Sequence, residues 1–156
     1  MNLTNGKIQF TENGLGEITR ELDELKNVKL SAAIERVARA RDFGDLSENA
    51  EYHSAKEELS FIEGRVEELE EIIKKADVVV ASKKNDQITI GCKVTVEVKG
   101  NESTYEVVGE WEADPIKQKI SHTSPLGQAL IGRKSGEDIE FEAPAGKVIY
   151  KIKKIH

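Results

Sequence analysis

From Tyr52 onward, apolar side chains recur at Ala55, Leu59, Ile62, Val66, Leu69, Ile73 and Ala76, in alternating steps of three and four. That period keeps one stripe of a helix turned toward one partner along its whole length and imposes a left-handed supercoil. The stretch therefore reads as a long helix lying along another helix. A partner stands just upstream, where Leu15, Ile18, Leu22 and Leu25 step in the same way and Glu17, Arg20, Glu21, Asp23, Glu24 and Lys26 fill the other faces. After Lys26 the register slips. Val28, Leu30, Ala33, Ile34 and Val37 continue the stripe in an altered phase, which reads as a stutter. The helix is expected to end near Phe43, with Gly44 as a left-handed C-terminal cap. A short connection favours antiparallel neighbours. Residues 1–80 are thus expected to form an antiparallel coiled-coil hairpin with arms of roughly 30 residues, about 45 Å long. Pairing of the 52–76 seam between two chains is the alternative. The entry to the first helix is less defined: residues 1–10 read as a loose lead-in, Thr11 as an N-cap, and Gly14 and Gly16 as costs of about 1 kcal/mol each.

Composition fits this division. A hydrophobic content of 38% with only 5% aromatic residues is thin for one large core, and 33% charged residues suit an exposed helical pair. Residues 1–80 carry 11 basic and 18 acidic side chains, net −7; residues 81–156 carry 12 and 11, net +1. An acidic balance argues against strong non-specific DNA binding. The single cysteine, Cys92, excludes an internal disulfide and agrees with a cytoplasmic location. The first residues hold no apolar run of signal-peptide type. No stretch approaches the roughly 18 apolar residues of a membrane span, so no membrane partner is expected.

Beyond residue 77 the period changes from helical to alternating. Residues 82–86 read as a linker. Residues 93–98 and 103–109 alternate around a turn at 99–102, a hairpin pattern. Ser124, Pro125 and Gly132 mark a short helix as N-cap, first residue and stop. Residues 138–142 and 147–152 form two further strands. Residues 81–156 are therefore expected to be a small antiparallel sheet with one short helix, which makes the chain an α+β protein.

The turn between the two long helices is acidic. Asp45 and Glu48 have the spacing of a capping box, with Asp45 as N-cap and Glu48 three residues on, and both suit the positive end of a helix dipole. The same spacing puts two carboxylates on one helix face, with Asp42 and Glu51 adding charge across 42–51. Such a pair can help to hold Mg²⁺, which takes one or two protein carboxylates and completes its shell elsewhere.

Gly44-Asp45-Leu46-Ser47-Glu48-Asn49-Ala50-Glu51-Tyr52, followed by Ala55-Lys56, resembles the tip signature of the Gre family of bacterial transcript-cleavage factors. Thr11, Gly14-Leu15, Glu21-Leu22 and Leu25 resemble that family's opening, and Ile120-Ser121, Ser124-Pro125 and Ala129-Leu130-Ile131-Gly132 its C-terminal signature. The resemblance implies an FKBP-like C-terminal domain that docks on bacterial RNA polymerase, with Ser121, Ser124 and Pro125 at the docking surface. It implies a coiled coil that enters the polymerase's secondary channel as a monomer and brings its tip to the 3′ end of the nascent RNA. Asp45 and Glu48 would there share a Mg²⁺ with the polymerase and stimulate hydrolysis of backtracked RNA, so that the protein assists another enzyme and is not one alone. Lys29-Leu30-Ser31, Ala145 and Trp111 depart from the family pattern, away from the tip. Two other readings stand beside this one: a channel-binding inhibitor that does not stimulate cleavage, and a structural or chaperone-like coiled-coil protein.

The remaining residues each have two readings. Arg36, Arg39 and Arg41 are candidate contacts to transcript or polymerase, or a solvated face paired with Glu35 and Asp42. Lys56, two turns beyond Glu48, is a further candidate contact, and Asn49 either supports the tip or is an ordinary first-turn residue. Tyr52 opens the seam and reads as core, with its hydroxyl a candidate for ordering the tip. His53, His122 and His156 have no metal-ligand spacing, Cys92 reads as a small buried residue, and Trp111 as core or docking surface.

Overall fold

The computed structural model describes residues 6–44, 49–81 and 86–156. The elements follow in the order β1 (Ile8–Phe10), α1 (Glu12–Glu24), a π turn (Leu25–Lys29), α2 (Leu30–Arg41), α3 (Ala50–Lys74), β2 (Ala76–Val78), β3 (Lys93–Val98), β4 (Asn101–Val108), a 3₁₀ turn (Glu110–Glu112), β5 (Lys119–Ser121), α4 (Pro125–Leu130), β6 (Asp138–Ala143) and β7 (Gly146–Ile155). The chain divides into two compact units, residues 16–75 and residues 1–15 with 76–156. These bounds differ from a single cut after residue 80, because the chain's first residues join the later unit.

The 16–75 unit is the helical hairpin, and the seam's partner is the chain's own first arm. Lys26 pairs with Glu70, Arg36 with Glu58, and Asn49 with the Ala40 carbonyl. Their residue numbers rise on one arm as they fall on the other, so the arms are antiparallel. On α3 the heptad positions Ala55, Ile62 and Leu69 are buried, and Tyr52, Leu59, Val66 and Ile73 are half-buried. Ile72, outside the stripe, is buried as well. The 25 residues of α3 span about 37 Å. On the first arm the slip after Lys26 proves to be a π turn, in which the Leu30 amide donates to the Leu25 carbonyl. Val28 and Ile34 lie off the stripe, 61% and 51% exposed, while Ala33, Val37 and Ala40 form its buried continuation. The first arm ends at Arg41, and Gly44 has a positive φ of 106°, a conformation that favours glycine.

The other unit holds a five-stranded sheet in the order β5-β4-β3-β7-β6. Lys99 and Gly100, both at positive φ, make a two-residue turn between β3 and β4, whose twist matches paired strands. The β4–β5 pair is parallel, so the sheet is not wholly antiparallel. Alternation points Val94, Val96, Val107, Ile139 and Ile152 to one face, where Leu130 of α4, Ile88 and Cys92 complete the core. Cys92 is buried there, as expected of a small apolar side chain. Residues 8–10 are no loose lead-in. They form β1, paired in parallel with β2 through Ile8–Ala76, Gln9–Asp77 and Phe10–Val78, and Phe10 is fully buried.

Thr11 starts α1 as the sequence suggests, accepting at Oγ1 from the Gly14 amide at 3.1 Å. Its own amide donates to Glu112 Oε2 at 2.9 Å, and its hydroxyl donates to Glu112 Oε1. The Gly109 amide donates to the same carboxylate at 3.1 Å. A carboxylate at a helix N-terminus satisfies open amides and suits the helix dipole. Gly14 is therefore no mere cost, since a Cβ there would lie 2.0 Å from the Glu112 side chain.

Candidate functional site at the hairpin turn

Asp45 and Glu48, the predicted catalytic and metal-holding pair, lie outside the described residues, as do Leu46 and Ser47. The frame on either side of them is described. Asn49 is the N-cap of α3: its Oδ1 accepts from the Tyr52 amide at 3.1 Å. Its Nδ2 donates to the Ala40 carbonyl at 2.7 Å, which ties the end of the first arm to the start of the second. Asn49 is thus the cap of α3, and the capping role that spacing suggested for Asp45 lies outside the described residues. Replacing Asn49 with alanine removes both bonds and is expected to lower stability by about 1–2 kcal/mol. Asn49→Asp keeps the cap acceptor but loses the donor to Ala40, and should fall between the two in thermal unfolding followed by circular dichroism.

The three arginines behave differently. Arg36 reaches across to α3, where its Nε meets Glu51 Oε1 at 2.8 Å, a second nitrogen meets Glu51 Oε2 at 3.1 Å, and a third pairs with Glu58. Ser54 Oγ lies 3.4 Å away. The hydrogen bond from Arg36 holds the Glu51 carboxyl below the ordinary carboxylate range, and donating to the Glu51 and Glu58 carboxylates pushes the guanidinium further up. Arg36 is therefore spent on joining the arms, and its partners are on α3 rather than at Glu35. Arg39 is exposed and has no ion pair with a described residue. Arg41 lies over the Tyr52 ring at 5.9 Å, and Lys56 Nζ lies over the same ring at 5.4 Å. Tyr52 is half-buried and packs against Val37, Ala40 and Ala55. One aromatic ring thus orients two cations beside the turn. The i,i+4 spacing of Tyr52 and Lys56 was the available signal for this role of the ring, whereas Tyr52's place in the sequence suggested only core and a tip-ordering hydroxyl.

Ser121, Ser124 and Pro125, predicted for docking, lie in the other unit and build the turn from β5 into α4. The Ser121 carbonyl accepts from the Ser124 amide at 3.0 Å and from its hydroxyl at 2.6 Å. Ser124 Oγ accepts from the Gly127 amide at 3.0 Å, and Pro125 fills the first helical position. Ser121 is 9% exposed, so its described role is structural. Ser121 and Ser124 also help to line an apolar cleft of about 290 Å³ with Tyr105, Ala113, Pro115 and Ile120. Trp111, 45% exposed, is not core. Among the described residues no group of three or more His, Cys, Asp or Glu side chains is placed to hold a metal ion. No helix among them is long and apolar enough to cross a membrane.

Two family models match, "Transcription elongation factor, N-terminal" over residues 8–78 and "Transcription elongation factor, GreA/GreB, C-term" over residues 83–156. The chain belongs to the GreA/GreB family of transcription elongation factors. This family member is 46% identical over 149 residues to the transcription elongation factor GreA of Rhodospirillum rubrum, covering 94% of this chain and 95% of that one. It is 47% identical over 149 residues to GreA of Caldanaerobacter subterraneus, with the same coverage of each chain, and 45% identical to GreA of Listeria monocytogenes, covering 94% of this chain and 93% of that one. Among solved structures, the GreA factor homolog 1 protein of Thermus thermophilus is 26% identical with a TM-score of 0.44, covering 96% of this GreA/GreB family chain and 99% of its own.

Proposed function

We propose that this transcription elongation factor binds bacterial RNA polymerase, places its hairpin turn in the secondary channel, and stimulates the polymerase's hydrolysis of backtracked nascent RNA. The protein then assists a reaction carried out by the polymerase and is not an enzyme alone. Asp45 and Glu48 carry the chemistry. Two carboxylates are a donor set that Mg²⁺ accepts, with the remaining ligands coming from polymerase, RNA and water. Such a metal, once bound, activates water and steadies the departing oxygen. Arg41 and Lys56, oriented by the Tyr52 ring, together with the exposed Arg39, supply positive charge for RNA phosphates. Arg36 contributes by holding the two arms together.

The observation that carries this reading is Asn49. Asn49 caps α3 and ties its start to the end of the first arm at Ala40, so the described residues on either side of Asp45 and Glu48 are held together. The test uses stalled, backtracked complexes of bacterial RNA polymerase with Mg²⁺. Added protein is expected to shorten the RNA from its 3′ end. The Asp45→Ala/Glu48→Ala double variant should slow this by at least about 100-fold, the scale on which electrostatic groups at a reacting site count, while binding polymerase as before. Unchanged cleavage by the double variant would refute the role given to the pair. Binding with inhibition and no cleavage would favour the channel-plug reading, and absence of binding the structural one.

A further inference from the structure

The first arm carries one residue too many for its own heptad. Leu15, Ile18, Leu22 and Leu25 set a phase that, continued by fours and threes, would place Lys29, Ala32, Arg36 and Arg39 against α3. None of these four is buried. The seam instead resumes at Leu30, Ala33, Val37 and Ala40, each one residue late. The whole offset arises between Leu25 and Leu30, where the Leu30 amide reaches back five residues to the Leu25 carbonyl instead of four. Glu24 and Leu30, which flank this turn, keep ordinary helical dihedrals, so the arm is widened and not broken. One inserted residue in an unwidened helix turns everything beyond it by about 100°. Here that rotation would carry two guanidinium groups, Arg36 and Arg39, into an apolar seam.

We propose that the π turn at Leu25–Lys29 is a phase adaptor: it stores a single supernumerary residue, so that the azimuth of the turn-proximal half of the arm is set by its contacts with α3 and not by continuity with α1. Two sets of contacts hold that azimuth. Val37 and Ala40 pack on Ala55, with Tyr52 and Leu59 against them. Arg36 clasps Glu51 and Glu58 from the flank of the seam. Arg39 and Arg41 are then exposed as a consequence of that register. Among the described residues this is the one π turn in the hairpin, and α3 keeps an unbroken heptad opposite it.

The adaptor has a consequence that an ordinary helix would not share. Deleting one residue from a helix interior normally misphases half of its contacts. Deleting Asn27, an exposed residue inside the π turn, should instead leave a continuous α-helix with every seam residue and the Arg36 clasp in place. Deleting Glu35, an exposed residue of α2, offers no such escape: either Leu30 and Ala33 or Val37 and Ala40 must leave the seam. The experiment is thermal unfolding of the full chain, followed by helical circular dichroism, for the parent and both deletions, with amide exchange measured across residues 25–30. The Asn27 deletion is expected to melt within about 3 °C of the parent or above it, while the Glu35 deletion melts at least about 10 °C lower. Amides of residues 25–30 should exchange at least about tenfold more slowly once Asn27 is removed, as a π turn gives way to regular helix. Equal losses in the two deletions would overturn the proposal, and so would equal tolerance of both. Because the readout is folding and not RNA cleavage, its outcome is independent of the proposed function.

Discussion

Replacing Phe10 with alanine is expected to destabilise the unit formed by residues 1–15 and 76–156 by about 3–5 kcal/mol. Phe10 is fully buried, and its carbonyl accepts from the Val79 amide at 2.8 Å, just beyond the three-residue β1–β2 pairing. Truncation leaves a cavity in a short parallel pair that has few other contacts with which to close it. The loss should exceed that for a half-buried residue of the same strand, such as Ile8. Trp111 is the chain's one tryptophan and lies in the same unit, so its fluorescence in urea reports this unit without interference from the hairpin. A loss below about 1 kcal/mol would place residues 8–10 outside the cooperative unit.

Gly109→Ala should have an effect of similar size for the opposite reason, since nothing can give way to the added methyl. A Cβ at Gly109 would lie 2.0 Å from the Gln9 carbonyl oxygen and 2.9 Å from Glu112 Oε2. The first is backbone held in β1, and the second is the oxygen that accepts from the Thr11 and Gly109 amides. Relief requires β1 to move away, which breaks the carboxylate's hold on the start of α1. The expected loss is about 3 kcal/mol, the upper part of the usual range for overpacking. Gly64→Ala provides the contrast. Gly64 lies inside α3 with open space around it, and alanine there should stabilise the hairpin by about 0.5–1 kcal/mol. Urea unfolding followed by Trp111 fluorescence for Gly109→Ala, and by circular dichroism for Gly64→Ala, checks both. Equal tolerance of the two substitutions would show that close approach to Gln9 does not constrain the fold.

The two arms were legible because they depend on period, which a sequence carries directly. The heptad from Tyr52 to Ile73 required a helical partner, and the partner is the chain's own first arm, whereas Ala76, the last position of the predicted stripe, begins β2. The β3–β4 hairpin and α4 were legible for a similar reason, since Gly100, Ser124 and Pro125 impose their conformations locally. The site was only partly legible. Arg41 and Lys56 lie over the Tyr52 ring, Arg36 is taken up by α3, and α3 is capped by Asn49. Side-chain partners across a hairpin depend on which residues the opposite arm presents, and one chain segment does not state that.

The amino-acid order alone determined that two long helices pair and that a small sheet with one short helix follows. The tertiary structure alone decided that the first strand pairs in parallel with residues 76–78, that β5 runs parallel to β4, and that Glu112 receives the start of α1 between Gly14 and Gly109. Those contacts join residues up to 101 positions apart. Local propensity acts over a few residues. Contacts at such distance form only when burial and hydrogen bonding repay the closure of a long loop, and that balance is struck by the folded chain as a whole.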